Sequence, residues 1–152
     1  MRRYSFLKFV TLFAVGFFGY AGIELLYRHY TYILMAICGG IAIVLLDRIN
    51  DEISWDLDIL IQGSIGSLII TGMEFIIGEL YLRGILPKMW DYTTMPLNYK
   101  GIVCLPFSLA WVALSIVAIV IADWINYYIF KENATPYYKL FGMIIYRFRD
   151  RG

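Results

Sequence analysis

Four apolar stretches, each close to the length a helix needs to cross a bilayer, constrain this chain more than any other feature. A spanning helix takes about 20 residues, with a working range of roughly 17 to 25. The stretches run over approximately 6-27, 30-46, 57-82 and 101-128. The second is short and is expected to end at Asp47-Arg48, and the third is long enough to tilt. With 61% hydrophobic and only 16% charged residues in 152, the chain lacks the polar surface a soluble domain of this size would need. The expected fold is therefore all-α: a polytopic membrane protein whose residues 1-130 form a four-helix transmembrane bundle.

The connections refine this outline. A tight turn is expected at Arg28-His29, a solvated acidic segment from Asp47 to Asp56, and an irregular cap from Arg83 to Lys100, where Pro87 and Pro96 oppose a continuous helix. Residues 131-152 form a basic tail. Its Tyr137, Tyr138, Leu140, Phe141, Met143, Ile144 and Ile145, closed by Arg147, Arg149 and Arg151, suit an amphipathic segment on the membrane surface. A fifth span there is the weaker alternative. Arg2-Arg3 loosely resembles the start of an export signal, but the apolar run that follows is long and offers no convincing cleavage site, so an uncleaved first helix is expected.

Orientation follows from the cations. Arg2, Arg3, Lys8, Arg48, Lys131, Lys139, Arg147, Arg149 and Arg151 fall on one side, nine against the four of Arg28, Arg83, Lys88 and Lys100. The positive-inside rule puts the nine, and both termini, in the cytoplasm. The Asn133-Ala134-Thr135 sequon then lies on the cytoplasmic side and is expected to be idle.

Several chemistries are excluded or disfavoured. A net charge of +1 gives no reason to expect nucleic-acid binding. One histidine, His29, cannot build a multi-imidazole zinc site, and Cys38 and Cys104 have no metal or redox spacing. There is no phosphate-binding glycine loop ending in Lys-Ser or Lys-Thr, so the chain cannot itself use ATP. No cofactor, metal or catalytic residue is expected, and with no paired nucleophile and base the chain reads as a non-enzyme.

The polar residues that remain cluster near one membrane face. Glu24 ends the first helix; Glu74 and Glu79 lie in the second half of the third; Trp90, Asp91, Tyr92 and Asn98 belong to the cap; Ser108 and Trp111 open the fourth. Ser64, Ser67, Thr71, Glu74 and Gly78 share one helical face, and Ser108, Trp111, Ser115, Ala118 and Ala122 answer at the same rhythm. Small residues there make a packing seam. Glu74 asks for more, because a carboxylate at mid-depth costs about 2.5 to 3.5 kcal/mol and must find a partner or water. Glu79 sits about 140° around the helix from Glu74, which argues against a paired acid and base. A ligand role and a structural role both remain open for Glu74. For Glu24 and Glu79, ion pairs with Arg28, His29, Arg83 or Lys88 are expected. Asp123 and Asn126 read as membrane-surface residues, and the acidic run Asp47, Asp51, Glu52, Asp56, Asp58 as a solvated loop with no calcium-loop spacing.

Three blocks carry a resemblance. Gly19-Tyr20, Ile23-Glu24-Leu25-Leu26 and Arg28-His29 come first, then Ile70 to Gly78, then Trp90-Asp91-Tyr92, Pro96, Asn98, Gly101, Cys104 to Leu109 and Trp111. Together they resemble the ABC-transporter type IV (CmpB-like) family of small bacterial membrane proteins. Thr93 stands where that family usually has Ser, and Tyr99-Lys100 replaces a more apolar pair. The resemblance implies a multi-pass protein of the bacterial cytoplasmic membrane, acting as the membrane subunit of a transport system. The polar residues at that face suggest an outward-facing polar pocket for a solute or ion, with Glu74, Glu24, Glu79, Asp91, Asn98, Trp90, Tyr92, Trp111 and Ser108 as candidates: Glu74 as ligand, Asp91 and Asn98 organising the cap, and Trp90 and Trp111 as walls. Its partners would be the lipid bilayer and a separate ATPase or other membrane subunit, and a homo-oligomer is compatible with it. The competing reading is a holin-like protein that permeabilises or organises the membrane by self-association.

Overall fold

The computed structural model describes residues 5–132 and 134–151. Arg2, Arg3 and Asn133, which entered the charge count, the export-signal comparison and the sequon, lie outside the described residues. Among the described residues, four helices are long and apolar enough to cross a membrane. They are α1 (Phe6–Arg28), α2 (Ile33–Glu52), α3 (Ile59–Leu82) and α4 (Leu105–Trp124), the last extended by a π-helical turn over Ile125–Ile129.

Local chemistry sets the helix ends. Ser5 accepts the backbone N–H of Lys8 at the start of α1, and Asp58 accepts that of Leu60 at the start of α3, satisfying donors that a first helical turn leaves free. His29 closes α1 in the left-handed conformation, at φ 64°. Pro106 sits in the first turn of α4, where its missing N–H costs nothing.

Helix α2 departs from the expected outline. It begins at Ile33 and continues through Asp47 and Arg48 to Glu52, so half of the supposed acidic loop is helix. The reason is local pairing: Asp47, 1% exposed, takes a hydrogen bond from Asn126 and faces the Lys8 ammonium at 3.3 Å. A carboxylate with such partners has no need to leave the bundle for water. Asp51 and Glu52 also lie in α2, leaving Asp56 and Asp58 in the short connection to α3.

The helices form two hairpins. α1 packs along α2 and α3 along α4, and the hairpins meet mainly through α2 and α4. Small residues permit the closest approaches. A methyl group on Gly16 would overlap the backbone of Gly39, and one on Gly66 would overlap Ser115. Ser67 and Thr71 complete the α3–α4 seam: the Ser67 hydroxyl donates to the Ser108 carbonyl, and the Thr71 and Ser108 hydroxyls share a bond of 2.8 Å. Ser64 is exposed and bonds its own helix at Leu60, so it does not belong to that seam.

Two small antiparallel sheets mark the two ends of the bundle. At one end, the cap folds back through β1 (Asn98–Tyr99) and β2 (Val103–Cys104), so α4 starts later than 101. At the other, the tail forms a hairpin of β3 (Tyr137–Leu140) and β4 (Met143–Arg147). The Phe141-Gly142 turn, both residues at positive φ, reverses the chain there. This hairpin replaces the single amphipathic segment expected from composition. It also docks: Phe148 and Tyr138 are buried in a cluster with Leu46, Ile59, Ile119 and Tyr127. Met143, Ile144, Ile145 and Tyr146 of β4 stay exposed.

Candidate functional site

The bundle ends are called here the cap end and the tail end. Between them lies a cavity of about 190 Å³, bounded by α1, α2, α3 and α4 and roofed by Trp90. Its walls are almost wholly apolar, formed by residues such as Val15, Met35, Ile70, Met73 and Leu114. The exposed lining residues, Gly19, Ile23, Val117 and Ile121, belong to α1 and α4, so the mouth lies between those helices on the lipid-facing side. Nothing lies within 4 Å of where a Gly19 side chain would start, which keeps that wall open. The sequence suggested a polar pocket facing outward. The structure instead shows an apolar cavity with a lateral mouth and one carboxylate in its wall, because the cap's aromatic residues turn inward and cover the bundle end.

That carboxylate is Glu74. It is 5% exposed, and each oxygen accepts one neutral donor: Oε1 the Tyr92 hydroxyl at 2.8 Å and Oε2 the Trp111 indole N–H at 3.0 Å. Among the described residues, no Lys, Arg or His nitrogen comes within 4.0 Å of it. Burial and the nearby Glu74 charge push the Tyr92 phenol well above its ordinary range, so it remains a donor. Phe107 stacks on Tyr92 at 4.7 Å between ring centres, which fixes that donor in place. Tyr20 from α1, 6.1 Å from Trp111 between ring centres, brings a third aromatic ring to the same part of the cavity wall.

Glu24 differs in kind. Both its oxygens lie 2.8 Å from the Arg28 guanidinium, and Tyr20 and Thr31 also donate to it. Arg28 further bonds the Met89 carbonyl, tying α1 to the cap. Glu79 pairs with Lys100 at 2.7 Å and lies 4.0 Å from Arg83, outside the cavity. The ion pairs expected for Glu24 with Arg28 and Glu79 with Arg83 are thus present, with Lys100 as an additional partner.

The cap residues divide likewise. Trp90 is buried, lines the cavity and donates to the Ile102 carbonyl at 2.9 Å. Asp91 is exposed; it accepts the Thr93 N–H and faces Lys88, whose hydrogen bond, with those from Thr93, holds its carboxyl far below the usual range. Asn98 bonds Met95, Thr93 and Gly101, and so organises the turn. The structure therefore brings together Glu74, Tyr92, Trp90 and Trp111. It keeps Glu24, Glu79, Asp91, Asn98 and Ser108 out of the cavity wall.

A second polar cluster, at the tail end, escaped the sequence reading. Asp123 and Asn126 are buried, not at the surface. Asn50 of α2 donates to Asp123 at 2.8 Å, and Asn126 of the π-helical turn donates to Asp47. Tyr138 of β3 donates to the other Asp123 oxygen at 2.7 Å, and Lys8 of α1 joins Asp47 to Glu132. The signal was present in the chain as a repeated Asp-x-Ile-Asn, at 47–50 and again at 123–126.

Among the described residues no group of three or more His, Cys, Asp or Glu is arranged to hold a metal ion. No curated protein and no solved structure matches the chain. A family model does, over residues 10–148, which takes in most of α1, the other three helices, the cap and the tail hairpin. This chain belongs to that family, described as Putative ABC-transporter type IV.

Proposed function

We propose that this protein is a non-enzymatic membrane subunit of a transport system, which takes a small solute into the cavity between its hairpins and holds it at Glu74. What supports the reading is the pairing of an apolar cavity with one buried carboxylate whose two oxygens meet only neutral donors. Buried charge is expensive in a membrane and is kept where a protein partner, a substrate or an ion meets it, and among the described residues no cation lies within 4.0 Å of Glu74. With no ATP-binding loop in the sequence, energy must come from a separate ATPase subunit or from an ion gradient. The tail end, with most of the lysines and arginines, faces the cytoplasm of a bacterial cell, and the exposed apolar strand β4 rests near the headgroups. Solute enters from the side, through the mouth between α1 and α4, and no step requires the cap to open.

The test is a thermal-stability screen of the full-length protein in lipid nanodiscs against a panel of small solutes. Wild type should be stabilised by at least one of them. Neither Glu74→Gln, which removes the charge, nor Gly19→Leu, which fills the cavity, should respond. Equal shifts in all three proteins would contradict the assignment.

A further inference from the structure

The two hairpins are copies of one pattern. Adding 50 to residue numbers of α1 maps Gly22-Ile23-Glu24 onto Gly72-Met73-Glu74 and Gly16 onto Gly66. Adding 76 to those of α2 maps Asp47-Arg48-Ile49-Asn50 onto Asp123-Trp124-Ile125-Asn126. The contacts obey the same two offsets. Gly16 meets Gly39 as Gly66 meets Ser115, and Phe13 meets Gly40 as Gly63 meets Ile116. Between hairpins the pattern exchanges partners: Asn50 donates to Asp123 while Asn126 donates to Asp47. Ile43 clusters with Ala122 while Leu46 clusters with Ile119. Partner exchange of this kind is the mark of a two-fold axis. Since α1 and α3 both start from the tail end, the axis runs along the bundle, as in parallel transporter repeats.

The copies share the exchanged Asp–Asn bonds at the tail end, where Lys8 maps onto Asp58 and Tyr138 serves Asp123, and they diverge further around one residue at the cap end. Arg28, which neutralises Glu24, maps onto Gly78, where a side chain would strike Ile102. Met35 maps onto Trp111, and the short turn after α1 maps onto the whole cap, which delivers Tyr92 and Trp90. Every one of these differences acts on Glu74: its built-in cation is gone, and aromatic groups have been brought to it. The cavity beside it carries Tyr20, Trp90 and Trp111.

Resting on the reading above, we propose that the cavity takes a small organic cation, an alkylammonium or quaternary ammonium with an apolar body, whose charge stands at Glu74 as Arg28 stands at Glu24. Aromatic faces attract such cations, most strongly where water is excluded. The apolar walls suit the body of the ligand, and about 190 Å³ exceeds the roughly 150 Å³ of a cavity that admits benzene. A bare metal ion is a poor match, because hard cations take six or more oxygen ligands and this wall offers few.

Calorimetry of the full-length protein in nanodiscs tests this, with benzyltrimethylammonium, its neutral isostere neopentylbenzene, and potassium as probes. The ammonium should bind at least tenfold more tightly than the isostere, Glu74→Asp should keep part of that preference, and Glu74→Gln should remove it while the isostere still binds. Equal binding of ammonium and isostere to wild type would overturn the ligand class and leave the cavity assignment standing. Binding of neither by wild type, with Gly19→Leu indistinguishable from it, would overturn both. Potassium competing with the ammonium at equal concentration would overturn the organic-cation class in favour of an inorganic ion.

Discussion

The bundle buries carboxylates at both ends, and two of them have opposite surroundings: Asp47 faces a cation and Glu74 an apolar cavity. At the tail end, Asp47 meets an ammonium and an amide, Asp123 meets an amide and a phenol, and the tail hairpin closes over them. At the cap end, Glu74 has two neutral donors and an open cavity beside it. The tail cluster carries its own cation and joins the hairpins, although Asn126 Oδ1 accepts no hydrogen bond and Asp47 Oδ2 has only the Lys8 ammonium beside it. Glu74 is held in position without a countercharge, which is the arrangement a ligand would complete. The difference teaches that depth and burial alone do not distinguish one buried carboxylate from another; the charge and space around it do.

The largest expected effect lies at the tail end. Lys8→Met strands Asp47 without its cation inside the bundle and should cost about 3 to 5 kcal/mol of stability. Unfolding curves in detergent check this, and Lys8→Met with Asp47→Asn should recover most of the loss. A small effect would mean that the cluster is not the sealed joint described. Next come Asn50→Leu and Asn126→Leu, each leaving one buried carboxylate short of a donor at about 1 to 3 kcal/mol. The two-fold relation predicts similar costs for the pair, and strongly unequal ones would break it. Glu74→Gln should change stability by less than about 1 kcal/mol, since a glutamine oxygen still accepts a neutral donor. Loss of folding in that variant would make Glu74 structural and erase the contrast between the ends.

The smallest effect concerns the tail hairpin itself. Hydrogen bonds from Lys139 and Tyr137, with the Lys139 charge, hold the exposed Asp56 carboxyl below its ordinary value. A depressed folded value means that this docking contribution is complete above the ordinary carboxylate range, about pH 3.9, and is lost as pH falls through the folded value. Trp55 faces the Tyr137 ring at 6.1 Å between centres, so its fluorescence should report release of the hairpin on acidification. Asp56→Asn, which cannot titrate, should weaken the docking at neutral pH and remove this acid-dependent release.

Much of this architecture was legible in the chain because lipid imposes simple rules. Span length and apolar continuity gave four helices, and the cost of a buried carboxylate picked out Glu74. Trp90, Tyr92 and Trp111 were legible through their place in the motif blocks. What stayed hidden depends on pairing across elements. Asp47 looked like a helix terminator because nothing local predicts that Lys8 and Asn126 will meet it. Asp123 and Asn126 looked like surface groups for the same reason, although the repeated Asp-x-Ile-Asn was there to be seen. The tail looked like one amphipathic stretch because Tyr138 and Leu140, alternating with exposed neighbours, fit a strand only once the Phe141-Gly142 turn is recognised. Tyr20, named in the sequence only within a motif block, walls the cavity, a role set by Trp111 of another helix meeting its ring.

The decisive measurement uses the tryptophans. Trp90 and Trp111 line the cavity, whereas Trp55 and Trp124 lie at the tail end. In full-length Trp55→Phe/Trp124→Phe protein in nanodiscs, titration with benzyltrimethylammonium should change the fluorescence saturably, and adding Glu74→Gln should abolish the change. No saturable change, or the same change without the Glu74 charge, would contradict Glu74 as the ligand-binding carboxylate.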